Sequence, residues 1–189
     1  MSREPETLPA PLWVFGYGSL IWSPGFPVAE RRLAVLEGFH RSFCMSSIHH
    51  RGTVESPGLV LALDPRAGAR CEGVAFRVPE AAAAETVAYL RERELISSAY
   101  VERVLPVALE DGGGEVAALA YVVDTDHEQY LKDLALEAQA EIIARAVGGR
   151  GSNTEYLYNT VDHLDELGIR DADLAWLAAR VREIAGGRG

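Results

Sequence analysis

The chain is short of several things that would fix its chemistry at once. Among 189 residues it has two cysteines, Cys44 and Cys71. Two thiols cannot build the disulfide framework of a small secreted domain, nor a four-ligand zinc site without suitably spaced histidines. They read as buried or semi-buried thiols in a reducing compartment, so a cytoplasmic protein is expected. Positive charge is also scarce: 18 Lys and Arg stand against 28 Asp and Glu, a formal net charge of −10. Non-specific nucleic-acid binding and attraction to an anionic membrane both need clustered positive charge, so neither partner is expected. The longest clean apolar run, Val116 to Val123, falls far short of the ~20 residues of a membrane span. Residues 1–11 are polar, carry Pro5, Pro9 and Pro11, and have no apolar signal region. They read as a disordered tail ahead of a single domain over 12–185.

Cofactor and nucleophile motifs are missing as well. Gly16-Tyr17-Gly18 has no third glycine, and Pro24-Gly25 blocks the helix that a dinucleotide fingerprint would need. No P-loop run occurs. Ser19 is not in a Gly-x-Ser-x-Gly elbow. His49 and His50 are adjacent, so on an extended chain their side chains point apart and make a poor metal site, and no His-Glu-x-x-His pattern is present. Neither metal nor cofactor is expected.

What is present is a run of strand-like segments followed by helical ones. Leu12 to Phe15 reads as a short buried strand, and Val28 to Met45 as two strands or one bent hairpin around Gly38. Leu59 to Leu63 and Gly73 to Val78 read as two strands separated by a polar turn at Asp64 to Arg70. Pro79 opens an Ala-rich helix reaching Glu94. Val101 to Leu109 and Glu115 to Val123 flank Asp111-Gly112-Gly113-Gly114 as a hairpin. From Glu128 the pattern turns helical. One helix is expected to Val147, a second from the capping box Ser152-Asn153-Thr154-Glu155 to Gly168, and a third capped by Asp171. The fold class is therefore α+β.

Two stretches can carry chemistry. Gly16-Tyr17-Gly18-Ser19-Leu20 follows a buried strand, and its glycines let consecutive N–H groups face a ligand, binding a carboxylate or an oxyanion. The same spacing equally fits a plain tight turn. Arg91-Glu92-Arg93-Glu94 closes the Ala-rich helix, and most such charge runs are solvated faces. Glu94 departs from that rule in two ways. It sits at the negative end of the helix dipole, which raises a carboxyl pKa, and four residues after Leu90, on the face that should turn inward. A carboxylate so placed can act as a general base or acid.

Together these stretches resemble the ChaC-like γ-glutamylcyclotransferases, a family acting on glutathione. The matching residues are Trp13-Val14-Phe15-Gly16-Tyr17-Gly18-Ser19-Leu20-Ile21-Trp22 and Gly38-Phe39-His40-Arg41-Ser42-Phe43. They continue with Arg51-Gly52, Pro57-Gly58, Gly73-Val74-Ala75-Phe76-Arg77, Arg93-Glu94 and Asn153-Thr154-Glu155-Tyr156-Leu157. The resemblance runs in order from Leu12 to about residue 180. It implies a cyclotransferase fold: a small, mostly antiparallel β-barrel-like sheet flanked by helices. It further implies that Tyr17, Gly18, Ser19 and Leu20 hold a γ-glutamyl group and that Glu94 is catalytic. Tyr100 matches a tyrosine following the catalytic glutamate, after a connector, Leu95 to Ala99, of the bacterial-branch type.

The implied reaction is attack of the γ-glutamyl α-amine on its own γ-carbonyl, closing 5-oxoproline and releasing cysteinylglycine from glutathione. Glutathione carries two carboxylates, and residues 31 to 51 hold Arg31, Arg32, Arg41 and Arg51 against Glu37. Arg51 is the candidate for the glycyl end, with a structural arginine as the alternative. Two other readings compete: the same ring closure on other γ-glutamyl amino acids or γ-glutamylamines, and a non-catalytic regulator that keeps the pocket. No coiled-coil seam or interface helix marks an oligomer.

Overall fold

In a computed structural model, residues 7–187 are described. The expected tail falls partly on residues 1–6, outside that range; residues 7–11 form no helix or strand. The elements are β1 (Trp13–Gly16), β2 (Glu30–Ser47), β3 (Gly58–Arg77), a 3-10 turn (Glu80–Ala82) and α1 (Ala83–Glu94). There follow β4 (Tyr100–Leu109), β5 (Glu115–Val123), α2 (Leu136–Ile143), β6 (Val147–Gly148), β7 (Gly151–Ser152), α3 (Asn153–Glu166) and α4 (Ala172–Gly186). No helix among the described residues is long and apolar enough to cross a membrane.

The described residues divide into two compact units, 7–41 with 63–124, and 42–62 with 125–187. Strands β1-β3-β2-β4-β5 close a barrel in that order. β1 with β3, β2 with β4 and β4 with β5 pair antiparallel, and the parallel pair β1–β5 completes the ring. The expected α+β class and barrel-like sheet are thus present. In the first unit, Val14, Phe15, Leu63, Phe76, Leu90 and Leu119 are almost wholly withdrawn from water. In the second, Phe43, Met45, Leu59, Ile143, Leu157 and Val181 are.

Several local expectations hold. The β4–β5 hairpin turns at Asp111 to Gly114, with the Leu109 N–H donating to the Gly114 carbonyl at 2.8 Å. Ser152 Oγ accepts from the Glu155 N–H at 3.2 Å, and Asp171 Oδ1 from the Leu174 N–H at 3.1 Å, so α3 and α4 start where their caps indicate.

Three expectations are corrected. Residues 28–45 are not two strands or a hairpin but lie largely within β2, an 18-residue strand. Likewise the two strands expected in 59–78 are one 20-residue strand, β3. Gly38 and Gly68, at φ 84° and 78°, bend these strands without reversing them. The polar composition at Pro65 to Gly68 records exposure of an extended segment, not a turn. The long helix expected from Glu128 shrinks to the eight residues of α2. Its first third is drawn onto β2 instead: the Ser46 N–H donates to the Gln129 carbonyl and the Leu131 N–H to the Cys44 carbonyl, both at 2.8 Å. Its end joins the β6–β7 hairpin. Backbone pairing across the unit overrode a good helical pattern.

Candidate active site

The loop after β1 is fastened from within and from outside. The Ile21 N–H donates to the Gly18 carbonyl at 2.9 Å and the Ser23 N–H to the Ser19 carbonyl at 2.8 Å. Arg41, 5% exposed, donates from Nε to the Tyr17 carbonyl at 2.6 Å and from Nη2 to the Glu72 carbonyl. A buried cation spent on carbonyls is costly to remove, because two acceptors then lose their donor. Tyr17, Gly18 and Leu20 are buried, and Ser19 is half-buried.

Helix α1 ends on the expected carboxylate. Arg91 and Glu92 are exposed, as a solvated charge run should be, but Arg93 and Glu94 are half-buried. Loss of water pushes the Glu94 carboxyl above the usual carboxylate range, while the Arg93 charge partly opposes the rise. The direction is the one expected from the sequence; burial, more than the helix dipole, supplies the cause.

Arg93, which enters the family resemblance only as the neighbour of Glu94, joins that carboxylate to the loop after β1. Its Nε lies 3.3 Å from Glu94 Oε1. Its Nη2 donates to Ser19 Oγ at 3.1 Å. Its Nη1 donates to the Ser23 carbonyl at 2.7 Å, the Pro24 carbonyl at 3.3 Å and Tyr89 Oη at 3.1 Å. Gly25, at φ 76°, completes the setting, since a Cβ there would collide with the Tyr89 hydroxyl. The available signals in the sequence are the adjacency of Arg93 to Glu94 and its i, i+4 spacing from Tyr89.

A second group lies within electrostatic reach of Glu94. The β4–β5 register sets Glu102 opposite Tyr121, and the Tyr121 hydroxyl donates to Glu102 Oε2 at 3.0 Å. Arg91 grips the same carboxylate at 2.8 and 3.0 Å, holding the Glu102 pKa down. Burial first, then the negative charges of Glu102 and Glu94, push the Tyr121 phenol far up, so it remains an O–H donor. Tyr121 and Glu102 carry no sequence motif. Tyr100 opens β4 opposite Val123 and is half-buried.

Arg51 belongs to the second unit. Its Nη1 donates to the Ser152 carbonyl at 3.1 Å and pairs with Glu155 Oε2 at 3.5 Å. Its guanidinium lies 5.4 Å from the Tyr156 ring centroid. Next to this platform, Asn153 is wholly buried; its Oδ1 accepts from the Leu59 N–H at 2.7 Å and its Nδ2 donates to the Leu59 carbonyl at 2.8 Å. Among the described residues, no group of three or more His, Cys, Asp or Glu is arranged to hold a metal ion.

Comparison with known proteins gives this geometry a context. The profile of the ChaC-like protein family matches residues 12–184. The chain is 36% identical over 174 residues to the glutathione-specific γ-glutamylcyclotransferase of Escherichia coli K12, covering 92% of this chain and 74% of that one. It is 34% identical over 180 residues to the enzyme of the same name from Schizosaccharomyces pombe, covering 86% and 87%. The crystal structure of a γ-glutamyl cyclotransferase specific to glutathione from yeast superposes with a TM-score of 0.81 at 26% identity, covering 92% of this chain and 99% of that one. A family match across nearly the whole barrel-and-helix chain, with relatives above 30% identity, places this protein in the ChaC-like family.

Proposed function

We propose that this chain is a glutathione-specific γ-glutamylcyclotransferase in which Glu94 is the general base and acid. The observation that carries the assignment of roles is a half-buried carboxylate whose proton affinity is raised by loss of water, tied through Arg93 to the loop after β1. The nucleophile and electrophile belong to one substrate, so the protein's task is to fold the γ-glutamyl group into attack geometry. A free α-amine with a pKa near ~8 is mostly protonated at neutral pH, so attack requires a base. Glu94 takes that proton as the amine closes on the γ-carbonyl. It returns that proton to the departing cysteinyl nitrogen as the amide bond breaks. The second proton that the attacking nitrogen sheds in becoming the ring amide leaves on the amine of cysteinylglycine, which departs protonated. Burial helps, because a carboxylate with a raised pKa is a stronger base than one in water.

In this reading Tyr17, Gly18, Ser19 and Leu20 hold the γ-glutamyl group, Tyr100 borders it, and Arg51 meets the glycyl carboxylate. The reaction uses no metal or cofactor. The buried thiols of Cys44 and Cys71 suit a reducing cytoplasm, and no membrane or nucleic-acid partner enters the reading.

The test is to incubate purified protein with glutathione, γ-glutamyl-alanine and γ-glutamyl-lysine separately and to quantify 5-oxoproline. Release from glutathione in clear preference is expected. Preference for either alternative would overturn the substrate, and release from none would overturn the enzyme.

A further inference from the structure

Arg93 does more than hold a loop, a role that rests on Glu94 being the base and on the loop after β1 gripping the substrate. A guanidinium is donor-only and stays charged. Ser19 Oγ at 3.1 Å from Arg93 Nη2 must therefore accept. A hydroxyl that accepts from a fixed cation has its own O–H turned elsewhere, committed to donation. The same cation lies 3.3 Å from Glu94 Oε1, where it favours the anion. Its Nη1 donors go to the Ser23 and Pro24 carbonyls and to Tyr89 Oη, so it cannot follow one partner without releasing the others.

We propose that Arg93 is a positioning residue for catalysis: through one guanidinium it polarises the Ser19 hydroxyl into an outward donor for a substrate oxygen and sets the protonation and orientation of Glu94. A lysine cannot replace it, because one ammonium on a flexible stem cannot span Ser19, the 23–24 carbonyls and Glu94 together. The groups facing Glu94 are Arg93 from α1 and Tyr121 from β5, with Glu102 of β4 and Arg91 behind the tyrosine. Only Arg93 among them touches both Glu94 and the loop.

The experiment compares wild type with Arg93→Gln, Arg93→Lys, Ser19→Ala and the double variant Ser19→Ala/Arg93→Gln. Glutathione turnover is measured across pH, and the Glu94 carboxyl is titrated by carbon-13 NMR without substrate. Losing the aligned Ser19 donor should raise KM by about tenfold or more in Ser19→Ala, Arg93→Gln and Arg93→Lys alike. In the double variant the KM losses should not multiply. Arg93→Gln should also move the acid limb of kcat/KM, and the Glu94 titration, to higher pH; Arg93→Lys should leave both closer to wild type. Multiplying KM losses, or an unmoved Glu94 titration in Arg93→Gln, would overturn the proposal. Should Arg93→Gln fail to fold, an unchanged KM in Ser19→Ala would overturn it alone. Wild type silent on glutathione, with the Glu94 titration still moved by Arg93→Gln, would remove the assigned reaction and leave Arg93's hold on Glu94 standing.

Discussion

Each of the two units contains a backbone segment fastened by a polar side chain on a helix, a loop in the first and the start of β3 in the second, but the fasteners differ in kind. In the first, Arg93 of α1 holds Ser19, Ser23 and Pro24 with a full positive charge beside a carboxylate that burial has made reluctant to ionise. In the second, Asn153 of α3 holds both backbone groups of Leu59 with a neutral amide, wholly buried. A neutral clamp fixes geometry and nothing else. A clamp whose charge lies beside an ionisable carboxylate also biases that group's protonation, as the Arg93 charge opposes the rise in the Glu94 pKa.

That contrast can be broken in order of effect. Glu94→Gln should fold normally and lose turnover by orders of magnitude; near-normal 5-oxoproline release would remove Glu94 from the mechanism. The same variant should show the cost of the charge. A carboxyl whose folded pKa is raised contributes stability below its unfolded value, about 4.3, that is lost as pH rises through the folded value. Wild type therefore carries a penalty at neutral pH that the glutamine lacks. Thermal melts should find Glu94→Gln at least as stable at pH 7, with the advantage gone near pH 4; a less stable variant at pH 7 would contradict the burial argument.

Asn153→Ala comes next. Two buried backbone groups lose their partners, at a cost of about 2–4 kcal/mol in denaturant unfolding. The acid limb of kcat/KM should stay put, and its displacement would erase the distinction between the clamps. Arg51→Met should be smallest, raising KM for glutathione by about tenfold with kcat nearly kept, as loss of one charge-assisted contact predicts. A melting-point loss with KM unchanged would make Arg51 a purely structural partner of Ser152, Glu155 and Tyr156.

The sequence is most legible where structure is local. The caps at Ser152 and Asp171 and the hairpin at Asp111 to Gly114 are decided by residues within a few positions of one another, and each forms as expected. Glu94 is legible through its spacing from Leu90 and its place at a helix end. The continuity of β2 and β3 is not, because a polar exposed stretch of strand and a turn have the same composition. Nor is the loss of helix after Glu128, whose backbone is captured by Cys44 and Ser46. Arg41 lies inside a family-like block without a role of its own, and Arg93 inside a charge run that looks solvated. Their partners, Tyr17 and Glu72 for one and Ser19 for the other, are too distant in sequence for any periodicity to report.

The link from Arg93 to Ser19 spans 74 positions of chain. Contacts of such long range can form only after the entropy of closing a large loop has been overcome, so they come late as a chain folds. The caps and the hairpin demand no such closure. A chain can thus regain its caps and its β4–β5 hairpin while Glu94 still lacks the loop to which Arg93 ties it. If Glu94 is the base, recovered activity reports completed tertiary closure, and recovered caps and hairpin are no substitute for it.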